Sequence, residues 1–321
     1  MGSLIDAALR RRATLLANEQ TTAVRLFHGR ADGLDGLVVE RWGPVLITQI
    51  QEGPLDDRLD ELRSAIAELH DRLGTQAVYL KRFVRDRSTI SPELEAAHHD
   101  ATPWIGEQVA PEIEVQEGTL RFLIHPYEGF SAGLFLEHRD NRARVMRLAK
   151  DRSVLNLFSY TCGFSVAALS GGAATVDSVD VSRRFLEWGK RNLQINALDP
   201  VKGRFFCSDT IAFYKRAERQ GRRYDLIIID PPTFSKMRRP SRVFVLNEAL
   251  ERLIAGAVQL LKSGGLILLS LNDRQIRMDR MADAMLQAGP GRRPRIVERP
   301  PLPLDFQGDP DFSKTLIAQF D

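Results

Sequence analysis

The chain has 321 residues, 43% hydrophobic and 27% charged, with a formal net charge of +3, proportions that suit two globular domains and are too weakly basic to identify a nucleic-acid binder. No apolar run reaches the roughly 18 residues of a membrane span, and Met1-Gly-Ser-Leu-Ile-Asp6 lacks the order of a secretory signal, so a cytoplasmic home is expected. Two cysteines, Cys162 and Cys207, fit a reducing compartment and offer no ligand spacing, so no metal is expected.

In chain order, Leu4 to Ala17 has apolar residues at helical spacing, with Arg10-Arg11-Arg12 on the opposite side as a solvated face or a basic arm. Residues 1–20 are set apart as an N-terminal helix. From Thr21 to Gln51 short strands alternate with turns, and Gly43-Pro44 between two apolar runs predicts a hairpin. Leu55, Leu59, Leu62, Ile66 and Leu69 form one helical stripe, and Gln76 to Phe83 reads as another strand. These elements predict a small α+β domain over 21–111. Its basic stretch, Lys81-Arg82-Phe83-Val84-Arg85-Asp86-Arg87, suits RNA phosphate contact or a solvated loop. His98-His99-Asp100 lies in a Pro-punctuated segment and lacks the further ligands a metal site needs.

A hairpin is expected around Glu117-Gly118, then a helix from Glu137 to Ala149 carrying Arg139, Arg142, Arg144 and Arg147. From Ser153 strands and helices alternate strictly, with strands at 154–158, 174–181, 203–207, 225–230 and 266–271, a helix over 243–261 and a closing strand pair around a Pro-rich excursion. That alternation predicts an α/β fold: a doubly wound, mostly parallel sheet with helices on both faces, occupying 112–321. The Pro-rich segment from Pro300 to Pro310 reads as a stiff surface connection or a substrate-side lid.

Open sheets of this kind place ligands at the carboxyl ends of their strands. The first strand-to-helix turn, Asn156-Leu-Phe158-Ser159-Tyr160-Thr161-Cys162-Gly163, carries one glycine, which argues against a dinucleotide and for a ligand without phosphates. Asn156, Ser159 and Thr161 are its candidate side chains. Asp180, at the end of the second strand, suits the two hydroxyls of a ribose, and Asp209, after the third, suits an adenine amino group. Each acid alone would be an ordinary helix N-cap; three strand ends bearing Asp180, Asp209 and Asp230 favour a nucleoside cleft. In Asp225-Leu-Ile-Ile-Ile-Asp230-Pro231-Pro232-Thr233-Phe234 a buried strand stops at an acid and two prolines, which cannot extend a ladder, and leaves a rigid ledge.

Asn156 to Thr161, Val179-Asp180-Val181-Ser182, Leu186-Glu-Trp188 with Asn192-Leu193, Asp230-Pro-Pro-Thr-Phe234 and Gly133-Leu-Phe-Leu-Glu-His-Arg139 together resemble class I S-adenosylmethionine-dependent methyltransferases, more narrowly those that modify large-subunit (23S-type) ribosomal RNA. The resemblance extends back to about Thr21, through Ala31 to Leu37 and Val39 to Trp42. It implies S-adenosylmethionine as cofactor, held by Asn156, Phe158, Ser159, Tyr160, Thr161, Gly163, Asp180, Val181, Ser182, Asp209, Thr210 and Arg139. The cytosine branch of that family carries a catalytic cysteine after the fifth strand, because C5 becomes nucleophilic only once a thiolate has added to C6. Here that stretch is Leu269-Ser270-Leu271-Asn272-Asp273, without cysteine. The sequence is closer to the N7-methylguanine branch, in which Asp230, Pro231 and Pro232 would hold the base edge and Phe234 would stack on it. No PUA-type or THUMP-like module is recognisable, so RNA grip falls to the small domain and to Lys81, Arg82, Arg85, Arg87, Arg238 and Arg239. A 5-methylcytosine rRNA methyltransferase, a small-molecule methyltransferase and a non-catalytic RNA-binding protein on the same fold are the alternatives.

Overall fold

The computed structural model describes residues 1–84, 90–238, 241–289 and 291–321, without the side chains of 234–238 and 241–245. The chain folds into two compact units, one built from Met1–Leu136 with Pro303–Asp309, the other from Glu137–Leu302 with Pro310–Asp321.

The first unit opens with α1 (Gly2–Arg11) and α2 (Ala13–Leu16), so the expected single helix breaks at Arg12. The break has a cause. Arg12 is 1% exposed, its Nη2 donating to Asp32 Oδ2 at 2.6 Å and to the Asp305 carbonyl at 3.0 Å. The basic triplet is therefore neither a free arm nor a wholly solvated face. Strands β1 (Ala23–His28), β2 (Leu37–Trp42), β3 (Val45–Gln51), β4 (Ala77–Phe83) and β5 (Ile105–Gly106) form one sheet in that order, with α3 (Leu59–Leu73) between β3 and β4 and α4 (Pro92–Ala97) between β4 and β5. Trp42 pairs with Val45 across Gly43-Pro44, as the hairpin reading expects.

The hairpin of β6 (Ile113–Glu117) and β7 (Leu120–Ile124) belongs to this unit and not, as expected, to the second. Backbone pairing decides it, because Thr22 N donates to the Gln116 carbonyl at 2.9 Å and Thr21 bridges Glu117. The Pro-rich excursion also contributes to this unit: Asp305 and Phe306 are fully buried, and Asp305 Oδ2 accepts from Arg25 N at 3.0 Å. The segment 303–309 is thus pinned to this unit by its buried residues Asp305 and Phe306, where a lid or a surface connection was expected.

The second unit follows the expected alternation. It runs α5 (Arg139–Leu148), β8 (Ser153–Leu157), α6 (Gly163–Ser170), β9 (Thr175–Asp180), α7 (Arg183–Ile195), β10 (Gly203–Cys207), α8 (Thr210–Arg219) and β11 (Tyr224–Ile229). A hairpin, β12 (Phe234–Arg238) and β13 (Ser241–Val245), then leads into α9 (Leu246–Leu260), β14 (Leu261–Leu271), α10 (Met278–Gln287), β15 (Pro294–Glu298) and β16 (Lys314–Phe320). The helix expected from Val243 starts three residues later, because 241–245 pairs back on 234–238. The seven-stranded sheet has the order β10-β9-β8-β11-β14-β16-β15, with β16 antiparallel to both neighbours. The chain leaves β8 in one direction and returns to its other side at β11, so the topological switch lies between these two strands. Leu226 to Ile229 are fully buried, as a central parallel strand covered on both faces requires.

Candidate active site

The turn after β8 is built without glycine in its strained positions. Phe158, Tyr160 and Cys162 take φ of 55°, 48° and 64°, a left-handed conformation costing about 1 kcal/mol or more for each side chain. Several hydrogen bonds hold it there. Ser159 N donates to the Val179 carbonyl at 3.0 Å, Cys162 N to the Ser159 carbonyl at 2.7 Å and Asn192 Nδ2, from α7, to the Thr161 carbonyl at 2.9 Å. Gly163 opens α6, while Ser159 and Thr161 are buried within the turn. Asn156 is 1% exposed and gives its amide to Ser165 Oγ at 2.8 Å, which in turn meets Ser178 Oγ at 2.8 Å. It braces the turn from below; the expectation that it meets the cofactor directly does not follow from this placement.

Asp180 ends β9 beside that turn. Its Oδ2 accepts from Tyr160 N at 2.9 Å and its Oδ1 from Ser182 N at 2.8 Å. Burial raises its pKa, and the N–H groups of Ser182, Tyr160 and Val181 offset this only in part, so the net shift is upward. Both oxygens are thereby oriented, and each keeps further lone-pair capacity. Val181, next to it, is an apolar side chain 47% exposed, and the Tyr160 ring stands edge-on to Phe185 at 4.5 Å. Ser182 caps α7 through Phe185 N at 3.3 Å. Asp209 caps α8, its Oδ1 accepting from Ile211 N at 3.0 Å and Ala212 N at 3.1 Å. The ordinary cap reading accounts for that oxygen. Thr210, the first residue of α8, is buried, and Arg139, the first of α5, is 8% exposed.

Asp230 follows β11, next to β8 in the sheet. Its Oδ2 lies 3.1 Å from Nε2 of His138, a residue the sequence offered only as the neighbour of Arg139 in a motif. Pro231 is buried and Pro232 exposed; Thr233 Oγ1 donates to the Asn272 carbonyl at 2.8 Å, fastening the ledge to the turn after β14. The side chains of Phe234 and Arg238 lie outside the described structure, as do Arg85, Arg87 and Arg239 altogether.

The expected RNA contacts divide. Lys81 is 2% exposed and donates to the carbonyls of Gly129 at 2.6 Å and Phe130 at 3.3 Å, and burial pushes its ammonium down to about 7. It is a structural group, which corrects its assignment to phosphate. Arg82 is one-third exposed and pairs with Asp56 at 2.7 Å. Neither thiol sits by the Asp230 ledge: Cys162 is buried in the turn after β8, its thiol pushed up by burial to about 12. Cys207 is exposed at the end of β10, three strands from β11 and so about 14 Å across the sheet. Among the described residues no group of three metal-ligating side chains forms.

Residues 24–318 match the family profile described as S-adenosylmethionine-dependent methyltransferase. A ribosomal RNA large subunit methyltransferase I from Tolumonas auensis is 32% identical over 294 residues, 90% of this chain and 71% of that protein. A ribosomal RNA large subunit methyltransferase K from Neisseria meningitidis is 38% identical over 165 residues, 51% of this chain and 47% of that longer protein. The fold is shared with a methyltransferase from Streptococcus mutans, at a TM-score of 0.86 and 24% identity over 99% of this chain and 80% of that one. With the family profile spanning both units, this chain belongs to the family of S-adenosylmethionine-dependent methyltransferases.

Proposed function

We propose that the enzyme methylates a base nitrogen of large-subunit ribosomal RNA, N7 of guanine in the first place. The RNA assignment is supported by the names of its relatives. The choice of a nitrogen is carried by one observation: the ledge at Asp230 has a buried histidine beside it and no thiol. Methylation at C5 of cytosine needs a thiolate to add to the ring, and a cysteine titrating near 12 is no thiolate at neutral pH. N7 of guanine already presents a lone pair, so the protein need only place it.

The residues present fit the cofactor. Asp180, with both oxygens turned by backbone N–H groups, would take the ribose hydroxyls, and exposed Val181 would offer the adenine an apolar face. Asp209 would meet the adenine amino group through the oxygen its cap leaves over. The strained turn 158–162, propped by Asn156 and Asn192, would line the remainder, with Gly163, Ser182 and Thr210 shaping the helix starts around it and Arg139 as a cation for the carboxylate end. S-adenosylmethionine, when bound, supplies an activated methyl group. The Asp230 carboxylate would accept a hydrogen bond from the target base, and its charge favours the cation that an N7-methylated guanine becomes. Pro231 and Pro232 would keep that edge rigid, Phe234 would stack on the base, and Arg82 with Arg85, Arg87, Arg238 and Arg239 would meet phosphates. Work on ribosomal RNA would place the enzyme in the cytoplasm.

The test is transfer of labelled methyl to large-subunit RNA that lacks the modification, followed by nucleoside mass spectrometry. The expected product is 7-methylguanosine. Recovery of 5-methylcytidine would overturn the no-thiol argument, and label entering small molecules alone would make this a small-molecule methyltransferase.

A further inference from the structure

His138 is 3% exposed and lies beside the Phe164 ring, centroids 5.3 Å apart. A carboxylate only accepts hydrogen bonds, so the Nε2 that faces Asp230 must carry the hydrogen whatever the charge on the ring. The other ring nitrogen, Nδ1, is 3.4 Å from Asn141 Nδ2. That same amide nitrogen is 2.8 Å from Thr315 Oγ1, and Thr315 Oγ1 is 3.1 Å from Ser270 Oγ. Asn141, Thr315 and Ser270 are all buried. A run of side-chain hydrogen bonds thus leads from the acid after β11, through the start of α5, to β16 and β14. It ends at Ser270, whose remaining contact is the Lys314 carbonyl at 3.5 Å. This is an anchorage in the core, with no exit to solvent along it.

Such an anchorage fixes what a lone aspartate would not. Asp230 keeps 19% side-chain exposure against 4% for His138, so with Oδ2 taken by the ring it is Oδ1 that is left to the cleft. We propose that His138 is a positioning residue for Asp230, holding its carboxylate through Nε2–H so that Oδ1 is aimed at the target base. The proposal rests on the reading of Asp230 as the base-facing acid. The charged groups around the ring agree with it. Burial opposes a charged imidazole, Asp230 and Glu137 favour it and Arg142 opposes it, and the balance lies upward. A misdirected acid at a reacting centre costs on the order of 100-fold in rate.

The experiment is a double-mutant cycle on methyl transfer to unmodified large-subunit RNA, using H138L, H138Q, D230A and H138L/D230A, with S-adenosylmethionine affinity measured by calorimetry. H138L should lower kcat by roughly 10- to 100-fold with cofactor Kd within about 2-fold. H138Q, which retains an N–H donor, should recover most of that loss. In the D230A background H138L should add nothing, because the histidine acts only through the acid. Additive losses, or an H138L enzyme as fast as the parent, would overturn the proposal. A second reading needs neither substrate nor a leucine variant: the titration of the His138 ring followed by NMR in the parent and in D230N. Its midpoint should fall in D230N, Glu137 and Arg142 being common to both; an unchanged midpoint would overturn the pairing. A parent enzyme inactive on ribosomal RNA overturns the substrate reading, and the NMR comparison then decides the pairing separately.

Discussion

Asp180 and Asp230 carry the same charge at strand ends two places apart in the sheet, yet their surroundings assign them different work. Asp180 is bound on one oxygen by the main-chain N–H of Tyr160 in the turn and on the other by that of Ser182 at the start of α7, so its removal loosens the turn as well as the proposed ribose contact. Asp230 is held by a side chain alone. Asp180→Ala should therefore weaken S-adenosylmethionine binding by at least about 10-fold, the roughly 1.5–3 kcal/mol that follows loss of hydrogen bonds to a charged group. Asp230→Ala should leave that affinity within about 2-fold while lowering turnover on the order of 100-fold. Calorimetry and single-turnover methyl transfer separate the two, and equal behaviour of both variants would show the cleft to be wrongly placed. A pH dependence accompanies the first acid. Because the Asp180 pKa is raised, the carboxylate is lost on mild acidification sooner than an ordinary aspartate would be, and cofactor affinity should fall with it.

At the scale of elements, the turn 158–162 depends on how closely α7 approaches it. Gly189 lies where a Cβ would come 2.8 Å from Cys162 Cβ, closer still to Cys162 Sγ. Helix propensity alone would favour Gly189→Ala by about 1 kcal/mol. Overpacking against a turn with three left-handed residues runs the other way, typically by about 1–3 kcal/mol, and should win. The variant should melt lower than the parent and bind S-adenosylmethionine more weakly; a higher melting temperature with unchanged affinity would show that the turn can give way. Elements of this kind mark the limit of what sequence reveals. The alternation after Ser153, the Gly43-Pro44 hairpin and the ledge at Asp230 are written in hydrophobic period and in proline, both local signals. The β12–β13 hairpin is not, because it interrupts a helical pattern by pairing two strands whose partner preference is set only by their meeting. His138 and Asn192 stood in the motifs of the resemblance without a role of their own, for a related reason: each acts on a residue far along the chain, and nothing in the neighbouring residues announces the partner. Lys81 misled because a lysine in a basic run reads as solvated unless the carbonyls that receive it are known.

At the scale of the molecule, the first unit carries two groups whose burial ties its stability to pH. Burial, helped by Arg25, pushes the His28 imidazole down from 6.5 to about 3, and burial pushes the Lys81 ammonium down from 10.5 to about 7. In both cases the unfolded chain binds the proton more tightly, so the folded state gains on the unfolded one as pH rises. The His28 contribution grows from about 3 to 6.5 and the Lys81 contribution from about 7 to 10.5. Denaturation midpoints should accordingly rise between pH 7 and pH 9 in the parent by more than in Lys81→Met, which lacks the titrating group. Parallel slopes in the two proteins would mean that Lys81 titrates normally.

The same unit is completed by residues from the far end of the chain. Phe306 is fully buried, with the Arg25 guanidinium 4.2 Å over its ring and the His28 ring 5.2 Å away, while Leu304, two residues before it, is 38% exposed. Removing a buried phenyl ring costs about 3–5 kcal/mol, and here it would also uncover a cation that is stacked on it. Truncating a half-exposed leucine costs about 0.5 kcal/mol or less. Trp42 and Trp104 lie in the first unit and Trp188 in the second, so a Trp188→Phe background leaves fluorescence that reports the first unit alone. In that background Phe306→Ala should lower the urea midpoint far more than Leu304→Ala. Equal midpoints would mean that 303–309 is an ornament on the unit; a large difference means that the first unit cannot reach its full stability until residues 303–309 have been made.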